Sequence, residues 1–564
     1  MPLSKHVNAD TFITQFLKKN QQYRTSKEEE FYFEYDSNVL VPRYEIPERP
    51  ANSKLVYRTI EEELTLDGTP TLNLASFVNT SSSETMEKLL LDNFTKNLSD
   101  NDEYPALIEI QDRCVAMLGN LWHAPSKRNE NGDLINTAIG TATTGSSEAI
   151  MLAGLAMKRT WQAKRKAEGK DYFRPNILMA SCAQVALEKF ANYFDVENRL
   201  IPISSNTNHV IDTTKIKENI DENTIGVFVI MGSTFTGAFE PVKYINDLLD
   251  EVQKEKGYDI PIHVDGASGG FVAPFCFPSI EWDFRVPRVV SINTSGHKYG
   301  LTTVGLGWVI WRSRERLPES LRFSLDYLGG TEESFGLNFS RPGFQVIMQY
   351  YNFLHLGFEG YQVVFDGCLS NARLLSDCLE ASGYYKCLSV INKKITDQSK
   401  KIYYTDKKTH NPNNVNEHFK PGLPVVAFTF SDEFQEEYPE IPQELVSTML
   451  RNKGIIVPNY HLPPDEGDTK VLRVVVRISM SMSLLEKLIE DIIEITKTLM
   501  QACKEVRKIA NKEEGAKDSH EISALIRDML MSITTGGLDN LKLEQEKTTK
   551  RLAGKDGRTF RGPC

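Results

Sequence analysis

In the middle of the chain, hydrophobic positions fall into short unbroken runs separated by longer stretches with a helical period. Six runs predict strands, at Ile177–Ala180, Leu200–Ile203, Ile225–Met231, Ile260–Val264, Val289–Asn293 and Gly307–Trp311. Helical patterns cover Ser146–Glu168, before the first run, and Val242–Lys256, between the third and fourth. Apolar runs of strand length alternating with helices predict an α/β fold with a mostly parallel sheet and helices on both faces. A ligand of such a sheet binds beyond the carboxyl ends of its strands.

The pattern changes towards the C-terminus. A helical region spans Gly343–Leu379, strand-like runs at Leu423–Phe430 and Val471–Ile478 enclose a helix at Pro442–Arg451, and a helix at Ser483–Arg507 follows. These predict a smaller α/β domain. Near the start, Phe12, Ile13, Phe16 and Leu17 share one side of a short helix over Asp10–Leu17, and a polar stretch follows to about Ser53. After the last helix, Ile522, Leu525, Ile526, Met529 and Leu530 form one more amphipathic stretch before a polar tail. The expected organisation is an N-terminal arm over 1–72, a large domain over 73–345, a small domain over 346–510 and a tail over 511–564.

Composition narrows the function classes. The chain has 564 residues, 40% hydrophobic and 25% charged, with a net charge of −11. That acidic excess argues against nucleic acid as the main partner, while small anions held by local groups stay open. No apolar run reaches bilayer length, and Met1–Glu30 lacks the apolar core of a secretory signal. The same stretch has Arg24 as its only arginine and ends in three glutamates, unlike a mitochondrial presequence. A cytoplasmic protein without membrane partners is expected. The eight cysteines are scattered with no Cys-x-x-Cys pair, so neither a zinc site nor a disulfide framework is expected.

Four clusters lie at strand ends or helix starts. Thr144–Ala149 opens a helix, where free backbone N–H groups and the hydroxyls of Ser146 and Ser147 make an anion cradle or simply an N-cap. His263–Gly270 ends a strand on Asp265 with small residues after it, which suits a protonated ring nitrogen or only a turn. Ser295–Gly300 sets Lys298 just past a strand among small and aromatic neighbours, where partial burial would make a nucleophilic amine, although a lone lysine there is more commonly a surface charge near a turn. Ser233–Gly237 supplies hydroxyls, or only a polar loop. Jointly, an anion cradle, a carboxylate and a lysine are what pyridoxal phosphate requires for its phosphate, its pyridine nitrogen and its aldehyde. No Gly-x-Gly-x-x-Gly and no P-loop occurs.

The strings that carry these groups resemble a known family. Asn73–Phe77, Asp102–Pro105, Leu121–Pro125, Gly145–Ala149, Asp265–Phe271, Ser295–Gly300 and Asn338–Pro342, in this order, are similar to the pyridoxal-phosphate-dependent glutamate decarboxylases of bacteria, plants and fungi. The resemblance runs from about Leu72 to Thr496. It implies the type I (aspartate-aminotransferase-like) fold and decarboxylation of L-glutamate at the α-carboxylate, through a Schiff base and a quinonoid, to 4-aminobutyrate and carbon dioxide.

It also implies roles. Lys298 resembles the Schiff-base lysine, Asp265 the partner of the pyridine nitrogen and Ala267 the small residue under the ring. Ser146, Ser147, Ser295 and His297 resemble phosphate ligands, with Ser340 reaching a neighbouring subunit's site. Thr234 resembles a contact of the ring substituents. Gln184 falls where a residue stacks on the ring, a position that is His in many other amino-acid decarboxylases. Ser76, Asn97 and Asp100, with Phe77 and Thr80, resemble residues near the distal carboxylate of glutamate, and Arg473 the arginine on the α-carboxylate side. Tyr327 resembles a residue of the mobile loop over the site. Tyr327, Lys298 and His297 all stay open as the group that returns a proton to Cα. The family implies at least a homodimer, with hexamers also open.

Two departures concern the tail. Plant members carry a calmodulin-binding segment with Trp and a Lys cluster; here no Trp follows Trp311, so calmodulin binding is not expected. Bacterial members end with a histidine that plugs the site, whereas this chain ends Gly562-Pro563-Cys564. Rival readings are an aspartate or cysteine-sulfinate decarboxylase, a phospholipid-base lyase, or a catalytically silent scaffold.

Overall fold

The computed structural model describes residues 44–48, 50–128, 134–325, 332–404 and 413–510, with Arg527 beyond them. The expected helix at Asp10–Leu17, the stretch at Ile522–Leu530 and Tyr327 therefore lie outside the described residues. The chain forms two compact units, 1–69 and 70–564. In the first, helix α1 (Ser53–Leu64) starts where the side chain of Asn52 accepts a hydrogen bond from the Lys54 amide at 2.9 Å.

Among the described residues, the second unit holds two large sheets and two two-stranded ribbons. The larger has seven strands: β1 (Ile139–Thr143), β2 (Asn176–Ala180), β3 (Glu197–Ile201), β4 (Thr224–Ile230), β5 (Ile262–Asp265), β6 (Val289–Thr294) and β7 (Gly307–Trp311), in the order β1-β7-β6-β5-β4-β2-β3. β2 to β6 pair in parallel, and β7 runs antiparallel to both of its neighbours. Every residue of β2, β4, β5 and β6 is buried, as helices covering both faces require. The covering helices include α2 (Pro105–Leu121), α3 (Ser146–Ala167), α4 (Val185–Tyr193), α5 (Val242–Lys256) and α6 (Gly269–Cys276).

In the larger sheet, two strands depart from the sequence expectation, each for a local reason. β3 begins at Glu197 rather than Leu200 because it lies at the sheet edge, where polar Glu197–Arg199 tolerate solvent. β1 was not expected at all. Its Gly140 carries no β-forming side chain, and a Cβ there would stand 2.5 Å from the Val309 carbonyl oxygen of β7.

Helix α7 (Phe344–Ala381) is broken at Gly357, whose φ of 60° and ψ of −166° no helix contains. Val346, Tyr361, Phe365 and Leu369 of α7 join the core of the large sheet. Ala372, Leu375 and Leu379 join a second core, around the antiparallel sheet β8 (Tyr385–Cys387), β9 (Val425–Phe430), β10 (Asn459–His461) and β11 (Lys470–Val475), ordered β8-β9-β11-β10. Helix α8 (Met482–Ala510) adds Leu485, Leu488, Ile492, Ile495 and Leu499 to that core. Among the described residues, no helix is long and apolar enough to cross a membrane, and no His/Cys/Asp/Glu group could hold a metal ion.

Candidate active site

The carboxyl ends of β5 and β6 and the start of α3 meet at one place. β5 delivers Asp265, which is buried. Its Oδ1 accepts hydrogen bonds from the Ala267 amide at 3.0 Å and from Asn293 Nδ2 of β6 at 3.0 Å. Burial pushes the Asp265 carboxyl above its ordinary range, while Asn293, Lys298 and the Ala267 amide pull the other way. Gly266, Gly269 and Gly270 follow because the backbone leaves no room: a Cβ on Gly269 would stand 2.2 Å from the Met231 carbonyl oxygen. Ala267 is half-buried beside them, and its carbonyl accepts from the Ser295 amide.

The loop after β6 carries Lys298. Its Nζ lies 3.4 Å from Ser268 Oγ and 5.3 Å from the centre of the Phe77 ring. The loop is tightly fastened. The Gly300 carbonyl accepts from Gln349 Nε2, Asn352 Nδ2 and Tyr361 Oη of α7, at 3.1, 3.2 and 3.1 Å. Next to Lys298, His297 Nδ1 accepts from the Leu306 amide at 3.2 Å, so its proton sits on Nε2. Burial, then the charge of Lys298, lowers His297 to about 4, which keeps it neutral.

The start of α3 faces this loop. Gly145 has φ 156°, and a Cβ there would come within 3.3 Å of His297 Cε1. No side chain caps Gly145, which leaves the first-turn N–H groups to other acceptors. Ser146 Oγ lies 2.7 Å from Ser295 Oγ. Glu148 fastens the cradle from behind. Its carboxylate accepts from the Thr144 amide and hydroxyl and, across 190 positions of chain, from the Leu337 and Asn338 amides and Asn338 Nδ2.

An amine near a buried carboxylate, a small-residue floor and an anion cradle that a Cβ would fill suit the groups of pyridoxal phosphate. The residues that could hold it are Lys298, Asp265, Ala267, Ser146, Ser147, Ser295 and His297.

The other expected residues fall into two sets. Phe77 is buried with Arg473, whose guanidinium carbon is 5.0 Å from the Phe77 ring centre and 5.6 Å from that of Tyr460. Arg473 donates to the carbonyls of Thr234, at 2.7 Å, and Ala75. Ser76 Oγ accepts from the Val78 amide, and Gln184 caps α4 through the Ala186 amide at 2.7 Å. The second set is Asn97, Asp100 and Ser340. Asn97 Nδ2 donates to Ser340 Oγ at 3.4 Å, and its Oδ1 accepts from the Arg341 amide. Asp100 accepts from the Glu103 amide. The hydrogen bonds of this set stay among residues 97–104 and 338–342.

Several residues of the site escaped the sequence reading. Arg477 donates to the carbonyls of Pro70, Asn73 and Val78 and to Thr80 Oγ1, so it clasps the same segment as Arg473. Its spacing, four residues along an extended stretch from Arg473, was the available signal. His263 and Asn293 stand behind Asp265. They belong to period-two polar patterns, His263-x-Asp265 and Ser291-x-Asn293-x-Ser295, inside otherwise apolar strands.

Residues 42–396 match the model of the pyridoxal-dependent decarboxylase conserved domain. The chain is 46% identical to the glutamate decarboxylase of Saccharomyces cerevisiae over 549 residues, covering 94% of this chain and 91% of that one. It is 38% identical to the glutamate decarboxylase of Aliivibrio fischeri over 82% of this chain and 91% of that one. Among solved structures, it is similar to the glutamate decarboxylase of Lactobacillus brevis. The TM-score is 0.71 at 34% identity, covering 81% of this chain and 95% of that one. A sphingosine-1-phosphate lyase of Burkholderia pseudomallei shares the fold with a TM-score of 0.62 at 19% identity, over 84% of this chain and 98% of that one.

Proposed function

The chain belongs to the pyridoxal-dependent decarboxylase family, and from that premise we propose that it removes the α-carboxylate of L-glutamate to give 4-aminobutyrate and carbon dioxide. The observation that carries this reading is the match to glutamate decarboxylases along nearly the whole chain. The charge at the substrate side supports an acidic substrate. Arg473 and Arg477 bond to carbonyls and to the hydroxyls of Tyr460 and Thr80, and among the described residues neither forms an ion pair. Their positive charge is left for an anionic ligand.

Pyridoxal phosphate, when bound, supplies an electron sink for the carbanion that loss of carbon dioxide leaves at the α-carbon. In this proposal Lys298 provides the amine that carries the cofactor, and Asp265 holds a proton at its ring nitrogen. Ser146, Ser147, Ser295, the uncapped N–H groups of α3 and His297 Nε2–H hold the phosphate. Ala267 and Gln184 bound the ring on either face, and Thr234 lies at its rim. Phe77 excludes water beside Lys298, and Arg473 and Arg477 hold the segment that bears Ser76, Phe77 and Thr80 in place. A proton returns to the α-carbon from Lys298, Tyr327 or His297.

The protein acts as at least a homodimer in the cytoplasm, and hexamers fit the same reading. The local hydrogen bonding of Asn97, Asp100 and Ser340 supports the dimer, since these residues are then available to complete a neighbour's site. The same reading keeps a large domain over 73–345 and a small one over 346–510, which the lie of the two large sheets on either side of residue 345 supports. The test is carbon dioxide release by purified protein from L-glutamate, L-aspartate and cysteine sulfinate, with and without added pyridoxal phosphate. Release from glutamate above the others is expected; release only from another acid would overturn the substrate. Light scattering at the mass of one chain would overturn the dimer.

A further inference from the structure

Behind Asp265, four polar side chains are buried between two parallel strands. His263 of β5 pairs in register with Ser291 of β6, and Asp265 with Asn293. His263, Ser291 and Asn293 have no solvent exposure. His263 Nδ1 is 2.8 Å from Ser291 Oγ, His263 Nε2 is 2.8 Å from Asn293 Oδ1, and Asn293 Nδ2 is 3.0 Å from Asp265 Oδ1.

The directions of these bonds follow from chemistry. An amide oxygen only accepts, so His263 must carry its proton on Nε2. Nδ1 then accepts from the Ser291 hydroxyl. Burial lowers His263 to about 4, so the ring stays neutral with a single N–H. Asn293 taken alone could turn its amide over. Its oxygen would then face an Asp265 carboxylate oxygen, an unpaired clash in a dry interior, while a neutral His263 could meet the turned NH2 by moving its proton to Nδ1. With Asp265 ionised, the chain Ser291→His263→Asn293→Asp265 therefore runs one way, with the His263 proton on Nε2.

We propose that His263 is a positioning residue whose Nε2–H locks the Asn293 carboxamide, so that Asp265 always receives a donor from behind and presents its remaining acceptor to the cofactor's ring nitrogen. The proposal rests on the reading of Asp265 as that nitrogen's partner. The lock matters because burial alone favours a protonated Asp265, a form that cannot accept the ring proton.

His263→Phe tests it, since a ring of similar size stays against Phe228. In this variant, affinity for pyridoxal phosphate should fall about tenfold, the loss expected when a buried donor is misplaced. The visible absorbance of the bound cofactor should change, and kcat should fall by about the same factor with KM for glutamate little altered. His263→Gln, whose amide can donate to Asn293, should recover most of each. A residue that merely filled space would lower the melting temperature and leave absorbance and kcat as they were. Folded His263→Phe with wild-type cofactor affinity and absorbance would overturn the lock. Should that variant not fold, Asn293→Asp, which removes the donor to Asp265, reads the same quantities, and wild-type values there would overturn it equally. Both binding readouts need no amino-acid substrate, so a wild-type enzyme inactive on glutamate would fail separately. Unchanged absorbance in Asp265→Asn would instead remove the reading of Asp265 beneath the proposal.

Discussion

Two regions meet at the site, and they are held by opposite means. The acid Asp265 is steadied by neutral groups of its own sheet, Asn293, His263 and Ser291, through side-chain bonds between adjacent strands. The segment Pro70–Thr80 is steadied by two cations that reach from and just beyond β11, through bonds to main-chain oxygens far away in sequence. Neutral donors oppose the burial that pushes Asp265 towards its protonated form, at the end of the site where the proposed reading puts the cofactor's ring nitrogen. Among the described residues, Arg473 and Arg477 form no ion pair, and their positive charge lies where the proposed reading puts an acidic substrate. One arrangement tunes a single group, and the other shapes a surface.

The comparison is broken most severely at its centre. Lys298→Ala is expected to lose bound-cofactor colour and nearly all turnover, read by absorbance and carbon dioxide release. Asp265→Asn should keep the fold and cost about a hundredfold or more in kcat, the scale of removing one preorganised electrostatic partner. At the other region, Arg477→Met should raise KM for glutamate about tenfold and destabilise by about 3 kcal/mol, because several carbonyls lose a charged donor at once. Arg477→Lys should recover only part, since an ammonium cannot span that fan of acceptors. Equal effects of the Met change on kcat and KM would erase the distinction between the two regions. Gly145→Ala is a smaller insult. It forces a φ of 156° on a residue with a Cβ and crowds His297, so cofactor affinity should drop by about tenfold, as a titration would show.

The mildest effect is on pH. His263 and His297 are both held near 4, below the ordinary histidine value of 6.5. A lowered folded value means that the unfolded chain binds protons first as pH falls. Their stabilising contribution is full above about 6.5 and is lost as pH falls from there towards 4. Melting temperatures at pH 7 and pH 5 should differ, and the gap should shrink in His263→Gln.

Much of this was legible in the sequence, in proportion to how strongly a residue's neighbours in the chain reveal its setting. β4 and β7 stood out because strands buried on both faces are nearly unbroken apolar runs, β6 although Ser291 and Asn293 interrupt it, and Asp265 and Lys298 because they stand at or just past the ends of such strands. β1 was hidden by Gly140, whose reason to exist is a strand on the far side of the sequence. The α1 helix lay in a stretch read as an arm. Arg477 looked like any arginine in the strand-like run Val471–Ile478, since its four acceptors lie some 400 residues earlier. Gln184 shows the opposite limit: the structure gives it an ordinary capping bond, compatible with its expected place over the ring but silent about it.

Helix α7 sets a limit on how this enzyme can be taken apart. Its Tyr361, Phe365 and Leu369 close one core, and its Ala372, Leu375 and Leu379 close the other, while Gln349, Asn352 and Tyr361 grip the lysine loop. Cutting the gene ahead of Phe344 strips the catalytic loop of its fasteners. Cutting it behind Ala381 leaves an oily flank bare on the piece that keeps the helix. Neither lobe is a module to be expressed, swapped or grafted alone, so recombination between relatives has to carry α7 together with both sheets.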